Sequence, residues 1–442
     1  MTASSRADLE RRAARPGEEA LAKHARYRGK IQVASKCPIG CLEDFAVWYT
    51  PGVAAPCLAI RDDSERVFEY TNRGNSVAIV SDGTRVLGLG DIGPEAALPV
   101  MEGKALLFKY LGGVDAVPLC VRTRDADELV RLVEQLQPSF GGINLEDIAQ
   151  PKCFRVLARA KESATIPVWH DDQQGTATVV LAGLINALEI VGKDLCNVRI
   201  ALVGAGAANF ATYELLCSAG ADPQAFVVCD SRGILHPARA DLASRRVELA
   251  EKWRLATETN PSRLAGGIEL ALRGADVCLA FSTPTVGTIE PSWIKRMAND
   301  AIVFACANPT PEVWPWDALS AGARVVATGR SDFPNQVNNS LAFPGIFRGV
   351  LDVRASSISP AMARAAADEI ARVARERGLT TDAILPRIDD WEMVPRVAVA
   401  TAMAATEEGL ARLPLGREEI ARMARTTIER ARATCRSLFV PA

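Results

Sequence analysis

Two pairs of neighbouring acids are the first residues whose type and placement could do chemistry. Glu146 and Asp147 close the stretch FGGINLED, and Asp171 and Asp172 close ATIPVWHDD. Each pair follows an apolar run that reads as a β-strand, and the carboxyl ends of strands in an α/β protein gather at one edge of a sheet. Four carboxylates there repel one another unless a cation sits among them. Hard oxygen ligands select Mg2+ or Mn2+ over zinc. The alternative is capping, because HDDQQGTA opens an apolar helical stretch and acids are favoured at helix starts. Lys104, in GLGDIGPEAALPVMEGKALLFKYLGG, is the next candidate. It is either a surface lysine laying its stem along apolar neighbours, or, partly buried beside a metal, a lysine of lowered pKa able to act as a general base.

A third constellation points to a nucleotide. NVRIALVGAGAANFATYELL sets Gly204, Gly206 and Asn209 in a G-x-G-x-x-G frame between a strand and a helix. The first glycine permits a tight turn and the second lets backbone approach a pyrophosphate, which the helix start at Ala207, Ala208 and Asn209 stabilises. Asn209 departs from the usual small third residue; it either loosens the helix–strand contact or brings its side chain near the phosphate. Asp230 ends the next strand, AFVVCD, and suits a ribose diol, which favours NAD. Arg232 could bind a 2′-phosphate, so NADP stays open, and Asp230 could also be a plain turn residue.

Positioning these groups requires two sets of elements. From about 45 to 175 strands and helices mix. SVAIVSDGTRVLGLG predicts a hairpin around Asp82-Gly83, and DADELVRLVEQL predicts a helix with Leu129, Leu132, Val133 and Leu136 on one face. An apolar helix is expected over about 175–191. RIALVG, AFVVCD, ADVCLAF, AIVFACA and ARVVATG then alternate with helical text, which implies a parallel sheet with helices on both faces. Beyond about 345 the chain reads as Ala/Arg-rich helices with solvated faces and nothing catalytic. The fold class is therefore α/β: an N-terminal mixed α/β domain over 1–173, a Rossmann-type doubly wound nucleotide-binding domain over 174–345, and a C-terminal helical segment over 346–442. Residues 1–25 read as frayed or loosely helical.

Composition narrows the partners. The 442 residues carry a net charge of −2, so no global basic field points to nucleic acid or an anionic membrane. TATVVLAGLINALEI is expected to be too short and interrupted to span a bilayer. The 11 cysteines show no CxxC spacing, Cys278 and Cys306 read as buried thiols, and the first residues lack a signal-peptide pattern. Together these predict a cytoplasmic protein. Only three histidines are present, His24, His170 and His236, which argues against a histidine triad or a multi-histidine metal site.

YTPGVAAPC, SDGTRVLGLGDIGPEAALPVMEGKALLFKYLGGVDAVP, FGGINLEDI, HDDQQGTA, VGAGAAN, ANPTPE and GRSDFPNQVNNSLAFPGIFRG occur in this order along one chain. Over about residues 20–410 the sequence closely resembles the malic enzyme family in its small bacterial form. The resemblance implies oxidative decarboxylation of malate to pyruvate and CO2 with NAD or NADP and Mg2+ or Mn2+, in a homodimer. It implies that Tyr49 is the general acid, Lys104 the base, and Arg85 the grip on a malate carboxylate. Glu146, Asp147 and Asp172 would hold the metal, with Asp171 beside them. Asn308 and Asn339 would lie near substrate and nicotinamide, and Ser282 in a cofactor loop. On this scheme Lys104 takes the C2 hydroxyl proton, hydride passes to nicotinamide, CO2 leaves, and Tyr49 protonates C3. A malolactic-type reaction, another 2-hydroxy acid, or a non-catalytic nucleotide-binding relative are the alternatives. Three positions depart from the pattern: Gln174 where small bacterial members carry His, Asn209, and FSTPT for the usual Ser-x-Pro-Gly. A phosphotransacetylase-like tail, found on some long relatives, is expected to be absent.

Overall fold

The computed structural model describes residues 6–437. Residues 1–5 of the expected N-terminal segment lie outside the described residues; Arg6–Tyr27 is one helix. Glu19 pairs with Arg15 and Lys23 at 2.8 Å each, an i,i+4 ladder on its surface.

Two sheets carry the rest. The first contains β1 (Ser76–Ser81), β2 (Asp115–Cys120), β3 (Gly142–Leu145) and β4 (Val168–His170), all parallel in the order β2-β1-β3-β4. The second contains β5 (Ile200–Val203), β6 (Phe226–Asp230), β7 (Gly233–Ile234), β8 (Val277–Ala280), β9 (Ile302–Ala305) and β10 (Val325–Thr328), in the order β10-β9-β8-β5-β6-β7. Only β7 runs antiparallel, at one edge. In each sheet the strand order reverses once, between β1 and β3 and between β5 and β8. Such a switch point opens a crevice beyond the carboxyl ends of the strands, where ligands bind in this class of fold.

The expected hairpin is not formed. Every residue of β1 is buried, and parallel partners fill both its edges, with Ser76 opposite Asp115 and Val77 opposite Gly142. A returning antiparallel strand has no edge to join. Gly83 does make the turn, at φ 66°, but residues 82–93 continue as a loop with one isolated bridge, Val86 to Gly90. The glycine-rich run VLGLG has too few strand formers to compete.

Thr176–Val191 is the central helix, packed against the Ala207–Ser218 and Pro360–Glu376 helices. A π-helical turn over Asp171–Gly175 lengthens it, so Asp171–Val191 does reach the length and hydropathy of a membrane span, contrary to the expectation. Most of that segment is buried inside the protein, as a core helix is.

The C-terminal helices have the expected solvated faces, with Arg364, Asp368 and Arg372 about half exposed, and they also bury their opposite faces. All of Phe343–Asp352 is buried, and Pro360–Glu376 buries Met362, Ala366, Ile370 and Val373. Small residues here serve close approach: a Cβ on Gly345 would lie 2.6 Å from Val397 Cγ1. The arginines are held in pairs such as Arg396 with Glu369, at 2.6 Å. Phe343 packs tilted and Phe347 edge-on against Phe108 of the Pro94–Gly112 helix, with ring centroids 4.5 and 5.2 Å apart, which joins this region to the first sheet.

Candidate active site

The loops leaving β1 and β3 flank the first switch point, and β4 runs straight into the π-helical turn. Glu146, Asp147 and Asp172 therefore converge: one oxygen from each lies within 4.8 Å of the others. Asp147 adopts a left-handed φ of 55°, a conformation aspartate tolerates better than most residues. Its N–H donates to Asp172 Oδ2 at 2.7 Å, while its own Oδ2 is buried without a partner. Asn144 Nδ2 donates to Glu146 Oε2 at 2.7 Å. Burial pushes the Glu146 carboxyl well above the usual range, and burial followed by the Asp172 charge pushes Asp147 up to about 8. This is a set of crowded hard oxygens with one buried lone-pair donor unused, and it fits Mg2+ or Mn2+.

Lys104 sits on the same floor, buried in the Pro94–Gly112 helix. Its Nζ lies 2.5 Å from Asp171 Oδ2, 2.9 Å from Glu146 Oε1, and 4.5 Å from the centre of the Phe343 ring. The surface-lysine alternative is thereby excluded. The fall in its pKa is expected with a metal beside it; the carboxylates alone act on Lys104 in the other direction. Burial lowers it, but the charges of Asp171, Glu146 and Asp172 outweigh burial and raise it overall. Three carboxylates face one ammonium, so the proton is held until another cation shares that field. Asp171 is set apart from the metal-type cluster. Trp169 Nε1 donates to its Oδ1 at 3.1 Å, and a Cβ on Gly175 would overlap that same oxygen.

Arg85 is exposed on the loop after β1, its N–H donating to the Asp147 carbonyl at 3.0 Å, and its charge lowers the pKa of Asp147. Asp82 braces that loop, accepting from Thr84 N–H at 3.1 Å and Oγ at 2.6 Å, and from Lys152. Asn339 packs on the π-helical turn, its Cβ 3.3 Å from where a Gly175 Cβ would be. Asn308 lies against Gly329, and its carbonyl oxygen would overlap a Cβ on Gly88. Tyr49 is different. It ends the Leu42–Trp48 helix, is 70% exposed, and makes no side-chain hydrogen bond to the carboxylates among the described residues.

The second switch point holds the nucleotide-type turn. Gly204 has φ 103°, and a Cβ there would overlap the Phe281 carbonyl oxygen. At Gly206 the nearest atom to a Cβ would be Gln150 Nε2 at 3.9 Å, so hydrogen in place of a side chain leaves room for a ligand. Gly206 caps Ala207–Ser218, whose first N–H groups, on Ala207, Ala208 and Asn209, have no intrahelical acceptor. Open space and three N–H donors fit a pyrophosphate. The Asn209 side chain does not face that space: buried, it donates to the carbonyls of Val203 at 3.0 Å and Gly204 at 2.8 Å, which ties the helix to the turn. A loosened turn and a phosphate-facing amide, the two alternatives read from the sequence, therefore both give way to a bracing role.

Asp230 ends β6 as expected, but Arg239 grips both its oxygens at 2.7 and 3.2 Å and Lys252 approaches to 3.6 Å. Arg232 is exposed, 3.4 Å from Asp241. Ser282 follows β8, and Glu312 accepts from its N–H at 2.7 Å and its Oγ at 3.0 Å. Gln174 Oε1 accepts from His170 N–H at 3.1 Å, so this departure braces the end of β4. Burial lowers the His170 pKa to about 4.

Sequence reasoning did not single out Trp169, Asn144, Arg239 or Glu312. Asn144 and Trp169 sit two residues before Glu146 and Asp171, on the same face of their strands, and period two offered that signal. Arg239 and Glu312 meet their partners only through the fold.

A two-sheet α/β protein with an acidic, lysine-bearing crevice on one sheet and a dinucleotide-type turn on the other has the parts of a nicotinamide-dependent dehydrogenase. Residues 28–161 match the malic enzyme N-terminal domain and residues 173–407 the malic enzyme NAD-binding domain. The chain is similar to a bifunctional malic/malolactic enzyme of Bacillus subtilis, 48% identical and covering 92% of this chain and 97% of that one. It is also similar to an NADP-dependent malic enzyme of Halomonas elongata, 42% identical over 90% and 95% of the two chains. The crystal structure of Entamoeba histolytica malic enzyme superposes with a TM-score of 0.95 at 45% identity, covering 99% of this chain and 91% of that one. The chain belongs to the malic enzyme family.

Proposed function

We propose that the chain oxidatively decarboxylates malate to pyruvate and CO2 with NAD or NADP as hydride acceptor. The observation that carries this reading is the buried Lys104 held between Asp171 and Glu146, on the floor where Glu146, Asp147 and Asp172 meet. Glu146, Asp147 and Asp172 would hold a Mg2+ or Mn2+, which would supply Lewis-acid polarisation of the substrate oxygens and offset the negative field around Lys104. Lys104 is the base for the C2 hydroxyl, and Asp171 orients its ammonium. Arg85 binds a substrate carboxylate, Asn308 and Asn339 line substrate and nicotinamide, and the turn from Gly204 to Asn209 takes the pyrophosphate. Tyr49 is the acid that protonates C3.

A homodimer belongs to the same reading. Leu42, Phe45, Val47, Trp48 and Leu58 are each at least half exposed around Tyr49. An apolar surface of this kind fits a partner subunit better than water. Malate, a second copy of the chain and a cytoplasmic setting complete the proposal, with no nucleic acid or membrane partner. The test is the purified protein with Mn2+ and malate against NAD and NADP separately, following reduced nicotinamide and pyruvate. Lactate without accumulation of reduced cofactor would replace the reading with a malolactic one. No turnover of malate with either cofactor would remove it.

A further inference from the structure

Glu312 is a fully buried carboxylate outside the acidic cluster. It lies beyond β9, yet its contacts reach across to the loop that follows β8. Oε1 accepts from the N–H of Ser282 at 2.7 Å and from its hydroxyl at 3.0 Å, while Oε2 accepts from the N–H of Ala307 at 3.1 Å. Its main-chain carbonyl also accepts from Gly287 and Ile289 N–H, at 3.1 and 3.2 Å. One residue thus binds both ends of the 281–289 loop and the start of the 306–312 loop. Every group facing its carboxylate in these contacts is a donor, so the acceptor-only, ionised form satisfies them all.

The two loops are not remote from the chemistry. They leave adjacent parallel strands on the β8–β9 side of the second switch point, opposite the β5–β6 half that carries the pyrophosphate-type turn and Asp230. A dinucleotide laid across that crevice places its second nucleotide on the β8–β9 side. The same loops meet the other domain at Gly88, three residues beyond Arg85. A Cβ there would overlap the Asn308 carbonyl oxygen and lie 2.6 Å from Pro284 Cγ. The loop of Arg85 therefore closes on a surface made jointly by the two loops that Glu312 ties together.

We propose that Glu312 is a positioning residue for the nicotinamide half of the cofactor, fixing the Ser282 and Asn308 loops in register with each other and with the loop of Arg85. The proposal rests on the dinucleotide-dependent reading above and goes beyond it in assigning this residue. Glu312→Gln is the sharp test, because an amide keeps the shape but has one acceptor oxygen. In either orientation its NH2 faces an N–H of one loop. Binding of the reduced cofactor, read by its fluorescence without substrate, should weaken about tenfold in this variant, the scale of a lost charged hydrogen bond. Mn2+ affinity, measured in the absence of cofactor, should stay unchanged, since the metal-type cluster lies on the other sheet. Should Glu312→Gln fail to fold, Ser282→Ala decides. It removes only the hydroxyl donor and should weaken cofactor binding by a smaller factor. Unchanged cofactor binding in the folded variant overturns the proposal, as does a fall in Mn2+ affinity equal to that in cofactor affinity, which would mark a general loss of structure. The binding readout also stands apart from turnover: a chain that binds cofactor normally but does not oxidise malate fails the functional reading and leaves this one intact.

Discussion

The carboxyl edges of the two sheets have the same topology and opposite chemistry. Both are parallel apart from the edge strand β7, and both reverse strand order once. At the first, side chains do the work: buried Glu146, Asp147 and Asp171 and half-buried Asp172 gather about the buried Lys104. At the second, the backbone does it: Gly204 and Gly206 open the turn, and three unpaired N–H groups begin a helix. The first edge is an arrangement for a cation, the second for an anion. A parallel sheet therefore supplies a place, and the residues in the first few positions after each strand decide what binds there.

Changes at the first edge should be the more damaging. Lys104→Ala should reduce malate oxidation by ~10²–10⁴, the usual worth of general acid–base catalysis. Steady-state rates at saturating malate and Mn2+ measure it, and a loss below about tenfold would show that Lys104 serves the fold alone. EDTA should abolish turnover and Mn2+ restore it; full activity after exhaustive chelation would mean that the carboxylates need no metal. Asp171→Asn comes next. It keeps the acceptor toward Trp169 but removes the charge facing Lys104, and outer partners of this kind cost about 10–100-fold when mutated. Activity equal to that of the unaltered protein would leave Asp171 as packing only.

Much of this contrast is legible in the sequence, and what is not has physical reasons. The acid pairs, the glycine turn and the five long strands of the second sheet follow from local rules: apolar runs, strand ends and turn residues. The hairpin after β1 fails because the same apolar text fits a central parallel strand, whose partners β2 and β3 lie far along the chain. The buried faces of the C-terminal helices are not legible because alanine is neutral in periodicity and packs well only when a neighbour such as Val397 is known. The direction of the Lys104 shift depends on three carboxylates that meet it through tertiary structure. Arg239 and Glu312 likewise gain their meaning from partners on other loops.

At the second edge the two glycines should separate structure from binding. Gly204→Ala places a side chain at φ 103° against the Phe281 carbonyl, so it should destabilise the fold by about 1–3 kcal/mol. Gly206→Ala meets no protein atom closer than 3.9 Å, so it should keep the stability and lose cofactor affinity. Denaturant midpoints and cofactor titrations on both variants check this, and equal stability losses would dissolve the distinction.

The smallest effect is expected where the sequence suggested a simple choice of cofactor. Asp230 stands where a ribose diol would be recognised, yet its carboxylate already accepts from Arg239 twice and from the Arg232 N–H at 2.9 Å, with Lys252 nearby. A diol would compete for lone pairs in use, and the charge that would repel a 2′-phosphate is largely neutralised. Asp230→Ala removes an acceptor for the diol and frees the positive charge of Arg239 and Lys252. The ratio of kcat/KM for NADP to that for NAD should then rise by about tenfold, the low end for hydrogen bonds to charged groups. Arg239→Ala leaves Asp230 free of its main partner and should move the ratio the other way. Opposite shifts would establish that the pair sets cofactor choice, acting on this edge through side chains as the first edge does. If neither variant moves the ratio, Asp230 and Arg239 form a structural clasp at the end of β6, and the second edge recognises its ligand through backbone alone.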